Sequence, residues 1–269
     1  MSRPLAGLAD YHTHSCFSDG EGEPADLVRR ALELGLSELG ICDHLVPAAY
    51  DEPGYGIDHR RLPEYERAVR AAAEAVPGVR VLLGLEIDFM PGTEAEIAAL
   101  LEGLPLDYAV VSVHLVDGFD LADDRLRDDE RWRDADAVFA GYYRLVAQAA
   151  ACAPAPAAVV GHLDVPTRFG HAPLRQPMEE QEAALRAIAI AGLALEVNTD
   201  GSRWPGPDED SSRRLLRRAC ELGVPLTLGS DAHKPSEVGA GFADAVGEAR
   251  AVGYSTYMRL SDRTEVPLP

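Results

Sequence analysis

Two kinds of hydrophobic pattern alternate along this chain of 269 residues. Largely apolar runs predict buried strands, and they cover residues 5–11, 39–42, 79–87, 108–113, 157–161, 193–197, 224–228 and 256–260. Between them, apolar residues that recur every three or four positions predict helices over residues 25–34, 62–75, 94–102, 138–151, 178–191, 211–222 and 242–251. Pro24 opens the first helix and Gly35 ends it. Strand and helix therefore alternate about seven times, which predicts an α/β fold.

Polar side chains are concentrated where the predicted strands end. In an open, doubly wound sheet the ends of distant strands lie far apart, whereas in a closed barrel they surround one mouth. We therefore predict a closed barrel of strands and helices. The polar residues at strand ends are His12, His14, His44, Glu86, His114, His162, Asn198, Asp231 and His233.

The composition is that of an ordinary globular protein, with 46% hydrophobic and 26% charged residues. The length suits one α/β barrel, although two small domains would also fit. No apolar run is long enough for a transmembrane helix, and the chain reaches His12 too soon to hold a signal peptide. The four cysteines form no CxxC pair, so we expect reduced thiols in a cytoplasmic protein.

The net charge limits the choice of partners. A formal charge of −20 argues against nucleic acid and anionic membranes, because both bind surfaces rich in Lys and Arg. It also opposes an anionic substrate unless cations are bound nearby. The sequence does not reveal the oligomeric state.

A pair of histidines at the end of the first strand starts a candidate metal site. His12 and His14 share one face of an extended strand, and neutral imidazole binds zinc, iron or nickel. Taken alone, the pair could also be two solvated histidines. However, six of the eight histidines fall at strand ends, which favours a metal centre. Glu86 and Asp231 add carboxylates at the same level, and Asp19 is a weaker candidate in the loop after His14.

At this point the sequence resembles the PHP family, named for its polymerase-associated and histidinol-phosphate phosphatase members. The match spans nearly the whole chain in the family's order, and it is most similar to the stand-alone histidinol-phosphate phosphatases. The motifs that carry it are His12-Thr13-His14-Ser15, Ser18-Asp19, Asp43-His44, Gly84-Leu85-Glu86, Ser112-Val113-His114, Gly161-His162 and Gly229-Ser230-Asp231-Ala232-His233. The branch is indicated by 84–92, by 161–164 with 168–170, and by 196–199 with Gly201 and Arg203.

The resemblance implies a single domain over residues 1–269, a distorted (β/α)7 TIM-like barrel. It also implies three divalent metal ions, which the donor types allow to be Zn, Mn or Fe. One ion would be held by His12, His14, Glu86 and Asp231; a second by Glu86, His114 and His162; a third by Asp19, His44 and His233. The family pattern favours Glu86 over Asp88, which lies on the same face of the same strand.

The expected activity is hydrolysis of L-histidinol phosphate to L-histidinol and phosphate, by a hydroxide formed between metal ions. Glu86, Asp231 and His233 are the expected catalytic residues, and Arg168 and Arg203 would bind the phosphate. Ions about 3.5–4 Å apart can activate water and neutralise phosphoryl oxygens. Three such ions and the carboxylates of Asp19, Glu86 and Asp231 leave about +3 in the pocket, which removes the conflict with the negative chain.

Several alternatives stay open. Asp200 and the segment 205–210 depart from the family pattern, so another small phosphomonoester, such as a nucleotide or sugar phosphate, is possible. A metal-dependent amidohydrolase also uses His-x-His on a barrel but normally expects a Lys or other bridging ligand on a middle strand, a role that Glu86 fills here. A non-catalytic PHP module would usually lack ligands. The residue that protonates the leaving group, Asp231 or His233, is not resolved, and Asp164 and Asp88 are candidates to face a cationic end of the substrate.

Overall fold

Short parallel strands and longer helices alternate in the computed structural model, which describes residues 5–50, 52–200 and 209–269, with side chains for all of these except 209 and 210. The helices are α1 (Pro24–Leu34), α2 (Leu62–Ala75), α3 (Glu94–Leu101), α4 (Ala135–Cys152), α5 (Met178–Ala191), α6 (Glu209–Glu221) and α7 (Phe242–Val252). The strands are β1 (Ala9–Asp10), β2 (Glu38–Ile41), β3 (His44–Leu45), β4 (Arg80–Leu83), β5 (Glu86–Asp88), β6 (Ala109–Ser112), β7 (Leu115–Val116), β8 (Phe119–Asp120), β9 (Ala157–Val160), β10 (Ala194–Asn198), β11 (Leu226–Gly229), β12 (Thr256–Arg259) and β13 (Thr264–Pro267).

The parallel strands form two sheets that share two chain segments. One sheet has the order β1-β2-β4 and the other the order β11-β10-β9-β6-β5-β3. Only two residues separate β2 from β3, and only two separate β4 from β5, so each of these chain segments passes from the first sheet into the second. The register places His44 opposite Glu86 and Asp88 opposite Ser112. The α/β class with mostly parallel strands is therefore as predicted.

The outer strands of the two sheets also touch. The backbone N–H of Tyr11 donates to the carbonyl of Leu228 at 3.0 Å, and Thr13 pairs with Ala232 in a parallel bridge. These contacts bring the end of β1 next to the end of β11, so their following residues lie at a common rim.

Tyr108 fixes the packing of the first strands. Its hydroxyl donates to the carbonyl of Tyr11 at 2.7 Å, and its ring fills the space above Gly40 and Gly84. A Cβ at Gly40 would lie 2.1 Å from the Tyr108 hydroxyl, so glycine is required there.

Three local features differ from the sequence prediction. The run 79–87 is broken at Gly84 and Leu85 into β4 and β5. A short antiparallel hairpin, β7–β8, follows His114, a feature that the sequence analysis did not predict. The last predicted strand, 256–260, pairs antiparallel with β13 instead of joining the parallel strands. None of the described helices combines the length and the apolar character that crossing a bilayer requires.

Candidate metal centre

The polar strand ends predicted from the sequence converge on one cavity of about 470 Å³. Seven of the predicted metal-ligand candidates line it: Asp19, His44, Glu86, His114, His162, Asp231 and His233. His12 and His14 are fully buried and contact Glu86. Thus the structure brings together all nine residues that the sequence proposed as ligands.

Glu86 is at the centre of this group. Its Oε2 lies 3.1 Å from His12 Nε2 and 3.5 Å from His14 Nε2. His14 Nε2 is also 3.1 Å from Asp231 Oδ1. The atoms of His12, His14 and Glu86 converge closely enough to coordinate one cation, and Asp231 lies beside them.

The other oxygen of Glu86 faces a second pair of imidazoles. Glu86 Oε1 lies 3.3 Å from His162 Nε2 and 3.7 Å from His114 Nε2, and these two nitrogens are 3.2 Å apart. Two nitrogens bound to one tetrahedral Zn²⁺ at 2.0–2.1 Å would be about 3.3 Å apart. The spacing of the two nitrogens therefore suits a shared cation.

Asp19 joins a third group from the loop after His14. Its Oδ2 lies 3.2 Å from His233 Nε2 and 3.9 Å from His44 Nε2, and its Oδ1 lies 3.9 Å from His14 Nδ1. Asp19 and His233 are only partly buried, so this group lies nearest the cavity opening.

Buried atoms without hydrogen bonds test whether the centre fits metal ions. Among the described residues, His12 Nε2 and both Glu86 oxygens are buried and make no hydrogen bond of acceptable geometry. Leaving such atoms without a partner costs about 1–3 kcal/mol each, more when charged. Imidazole nitrogens and carboxylate oxygens are ligands for Zn, Mn and Fe, so the donor set fits divalent cations.

The electrostatics show what a cation would replace. Burial acts to raise the pKa of Glu86, but the neighbouring His12 and His44 hold it well below its usual value. Burial acts to lower the pKa of His44, but Glu86 and Asp88 raise it to about 10. In the same way, Glu86 outweighs burial and raises the pKa of His162 to about 9. Protons on these imidazoles therefore balance the carboxylates, and a bound ion would take their place.

Glu196 supports the centre from behind, and the sequence analysis did not single it out as a site residue. Its Oε1 lies 2.7 Å from His12 Nδ1, and its Oε2 accepts from the His162 backbone N–H at 3.0 Å. A Cβ at Gly229 would lie 1.9 Å from Glu196 Oε1, so glycine keeps this contact possible. Its spacing could have identified Glu196 from the sequence. It lies two residues before Asn198, so the two side chains share one face of β10.

Two other buried acids order the loops that carry ligands. Asp43 accepts from the backbone N–H and the hydroxyl of Ser15, each at 2.7 Å, and from the Ser18 hydroxyl at 2.6 Å. Asp10 accepts from the backbone N–H groups of Ser230 and Gly239, each at 2.9 Å. These bonds fix the loops on either side of Asp19 and Asp231.

Asp231 has a left-handed backbone with φ of +53°. This conformation costs a residue with a Cβ roughly 1–2 kcal/mol. The surrounding bonds of Ser230 hold the conformation, which directs the Asp231 carboxylate toward His14. Strain of this kind occurs mainly at functional sites.

The structure describes only one of the two arginines predicted to bind phosphate. Arg168 lines the cavity, and its Nη1 lies 3.1 Å from Asp200 Oδ2. Arg203 lies outside the described residues, and so do positions 205–208 of the divergent segment. Val46, Tyr50 and Tyr55, from the loop before α2, also line the cavity.

Comparisons with known proteins place these features in a wider group. The model of the PHP domain matches residues 10–200. A probable histidinol-phosphatase of Deinococcus radiodurans is 38% identical over 255 residues, covering 94% of this chain and 96% of the relative. The histidinol-phosphatase of Lactococcus lactis is 27% identical, covering 83% of each chain.

The fold is also similar to a solved structure. The crystal structure of histidinol phosphate phosphatase from Lactococcus lactis, complexed with zinc, L-histidinol and phosphate, superposes with a TM-score of 0.77. The two chains are 24% identical, and the match covers 97% of this chain and 99% of the other.

Proposed function

This chain belongs to the PHP domain family, and from that premise we propose that it is a metal-dependent phosphatase of L-histidinol phosphate. The observation that carries the proposal is the convergence of nine imidazole and carboxylate side chains, with Glu86 at their centre, at one cavity that seven of them line. The similarity to the Deinococcus radiodurans relative, over almost the whole of both chains, supports the choice of substrate.

We propose that the chain binds three divalent ions, Zn, Mn or Fe, through the ligand sets that its resemblance to the family implies. The ligands would be His12, His14, Glu86 and Asp231 for one ion, Glu86, His114 and His162 for the second, and Asp19, His44 and His233 for the third. When bound, such ions activate water and stabilise the negative phosphoryl oxygens of the transition state.

The protein's own groups then have distinct proposed roles. Glu86 connects two ligand groups through its separate oxygens. The Nδ1 of His233 lies 2.9 Å from the Asp231 carbonyl, which leaves its Nε2 to face Asp19 at the cavity opening. As proposed ligands, His233 and the nearby Asp231 would deliver the proton that the leaving alkoxide requires through bound water.

The cavity walls also suit a substrate with an anionic and a cationic end. Arg168 would bind the phosphate, with Arg203 as the second proposed clamp. Asp120 and Asp164 also line the cavity and could face an ammonium or imidazolium group, whereas the lining residue Asp123 is paired with Arg125. Asp88 does not suit this second role, since it is fully buried and bonded to His44 and Tyr55.

A substrate panel tests the assignment. With metal-loaded protein, kcat/KM for L-histidinol phosphate is expected to exceed that for p-nitrophenyl phosphate, ribose 5-phosphate and AMP by about 100-fold or more. The reason is that only the first substrate carries a cation to pair with the cavity acids. Equal turnover of all four compounds would contradict the assignment and favour the alternative, a phosphatase of other small monoesters.

Arg168→Ala is expected to lower kcat/KM for L-histidinol phosphate on the order of 10²-fold, because a charge-assisted contact to the phosphate is lost. Steady-state kinetics measure this, with Arg144→Ala as the control. Arg144 forms a comparable exposed ion pair, 3.2 Å from Glu180, on α4. An equal effect of the two substitutions would show that Arg168 only stabilises the fold.

We further propose that the two sheets close into a distorted (β/α)7 barrel and that the chain is one domain. The contacts of Tyr11 with Leu228 and of Thr13 with Ala232 support closure between β1 and β11. A cytoplasmic location remains part of the proposal, supported by four cysteines that are free thiols.

A further inference from the structure

Asp88 is a fully buried carboxylate beside the proposed ligands. Its Oδ1 lies 3.1 Å from His44 Nδ1, and its Oδ2 lies 3.3 Å from His114 Nδ1. The Tyr55 hydroxyl donates to the same Oδ2 at 3.0 Å. One carboxylate therefore contacts two imidazoles from two different strand ends and a phenol from the cavity wall.

The donors and acceptors in this group allow one assignment. An ionised carboxylate only accepts hydrogen bonds, so His44 must carry its proton on Nδ1. Glu86 Oε2 lies 3.0 Å from the same nitrogen and offers no proton to it.

The Tyr55 hydroxyl has one hydrogen, which it gives to Asp88. Its oxygen can then only accept from His114 Nδ1, 3.2 Å away. If the Tyr55 hydroxyl donated to His114 Nδ1 instead, Asp88 Oδ2 would be a buried charge without a hydrogen-bond donor, which is costly. Therefore His114 also carries its proton on Nδ1.

In the neutral form that binds a cation, each imidazole has one N–H, so the Nε2 atoms of both histidines are left as lone-pair donors. These atoms face the remaining ligands. His44 Nε2 lies 3.9 Å from Asp19 Oδ2, and His114 Nε2 lies 3.2 Å from His162 Nε2.

We propose that Asp88, together with Tyr55, is a positioning residue that fixes His44 and His114 in the Nδ1-protonated tautomer and presents their Nε2 atoms to the divalent ions. This proposal rests on one part of the proposed function, namely that divalent ions occupy the centre. Carboxylates behind metal-bound histidines commonly change metal affinity by 10- to 100-fold.

Zn²⁺ binding without substrate tests the proposal. In competition with a chromophoric chelator, Asp88→Asn is expected to weaken Zn²⁺ binding by about 10- to 100-fold, while the Zn²⁺ bound at saturation stays unchanged. The asparagine keeps the size of the side chain, but its amide nitrogen can only donate. Asp244→Asn, an exposed change in the first turn of α7, is the control and should bind Zn²⁺ as the wild type does.

Two further measurements keep the test decisive if Asp88→Asn does not fold. Tyr55→Phe removes one hydroxyl and is expected to weaken Zn²⁺ binding by a smaller factor. Two-bond ¹⁵N–¹H NMR of the Zn²⁺-loaded wild type should show Nδ1–H imidazoles at His44 and His114. An Nε2–H pattern at either residue, or unchanged affinity in a folded Asp88→Asn, would overturn the proposal.

Loss of a whole equivalent of Zn²⁺ at saturation in Asp88→Asn would also overturn it, because Asp88 would then be a ligand itself. Since no assay here contains substrate, failure of the histidinol phosphate assignment would leave these results unchanged.

Discussion

Replacing Glu86 with glutamine is expected to lower kcat/KM for L-histidinol phosphate by about 10³-fold or more, equivalent to about 4 kcal/mol of transition-state stabilisation. Glu86 Oε2 faces three imidazoles and Oε1 faces two, at distances of 3.0 to 3.7 Å. Glutamine keeps the volume but replaces one oxygen by an amide nitrogen that cannot coordinate a cation. We therefore also expect fewer metal ions per chain, measured by elemental analysis of the dialysed protein.

Glu102→Gln is the matched control, because Glu102 is exposed and follows α3 outside the cavity lining. It is expected to keep both metal content and kcat/KM. If Glu86→Gln retained full metal content and activity, Glu86 could not be the shared ligand, and the proposed arrangement of ions would be wrong.

The positions of the proposed ligands were predictable because they depend on local pattern. His12 and His14 are two residues apart after a strand, and the other candidates except Asp19 lie at or just past the end of a recognisable apolar run. Since parallel strands end on one side of the sheet, the sequence alone could predict that these residues meet. The helix bounds of α2 and α5 also agree with the prediction, because their apolar periodicity is regular.

The contacts behind the ligands were not predictable, since they join residues far apart in the chain. His12 and Glu196 are separated by 184 positions, and no local pattern states which acid lies behind which histidine. The Asp88 contact to His114 also depends on the register of β5 with β6. Likewise, the break at Gly84 and Leu85 depends on the packing of Tyr108, which is a tertiary constraint.

Removal of metal should destabilise the fold as well as stop catalysis, because buried carboxylate oxygens would lose their partner. Without a cation, His14 lies between His44 and His233, whose rings are each stacked on it at 4.5 Å. The carboxylates near these two outer imidazoles outweigh burial and raise the pKa of each. Burial, together with the charges of His233 and His44, lowers the pKa of His14. A bound ion would let these imidazoles stay neutral and would pair the Glu86 oxygens that make no hydrogen bond among the described residues.

Dialysis against a chelator is therefore expected to lower activity at least about 10²-fold and the melting temperature by about 10 °C or more. Each ion present at about 1,000 times its Kd contributes about 4 kcal/mol to the stability of the folded state. Calorimetry and kinetic assays on the same samples measure both effects, and adding back Zn²⁺, Mn²⁺ or Fe²⁺ should restore both together. Magnesium, which prefers oxygen ligands, should restore little, because imidazoles supply six of the nine candidate ligands. Full activity in metal-free protein would show that the side chains alone carry out the hydrolysis, and the proposed metal centre would have to be abandoned.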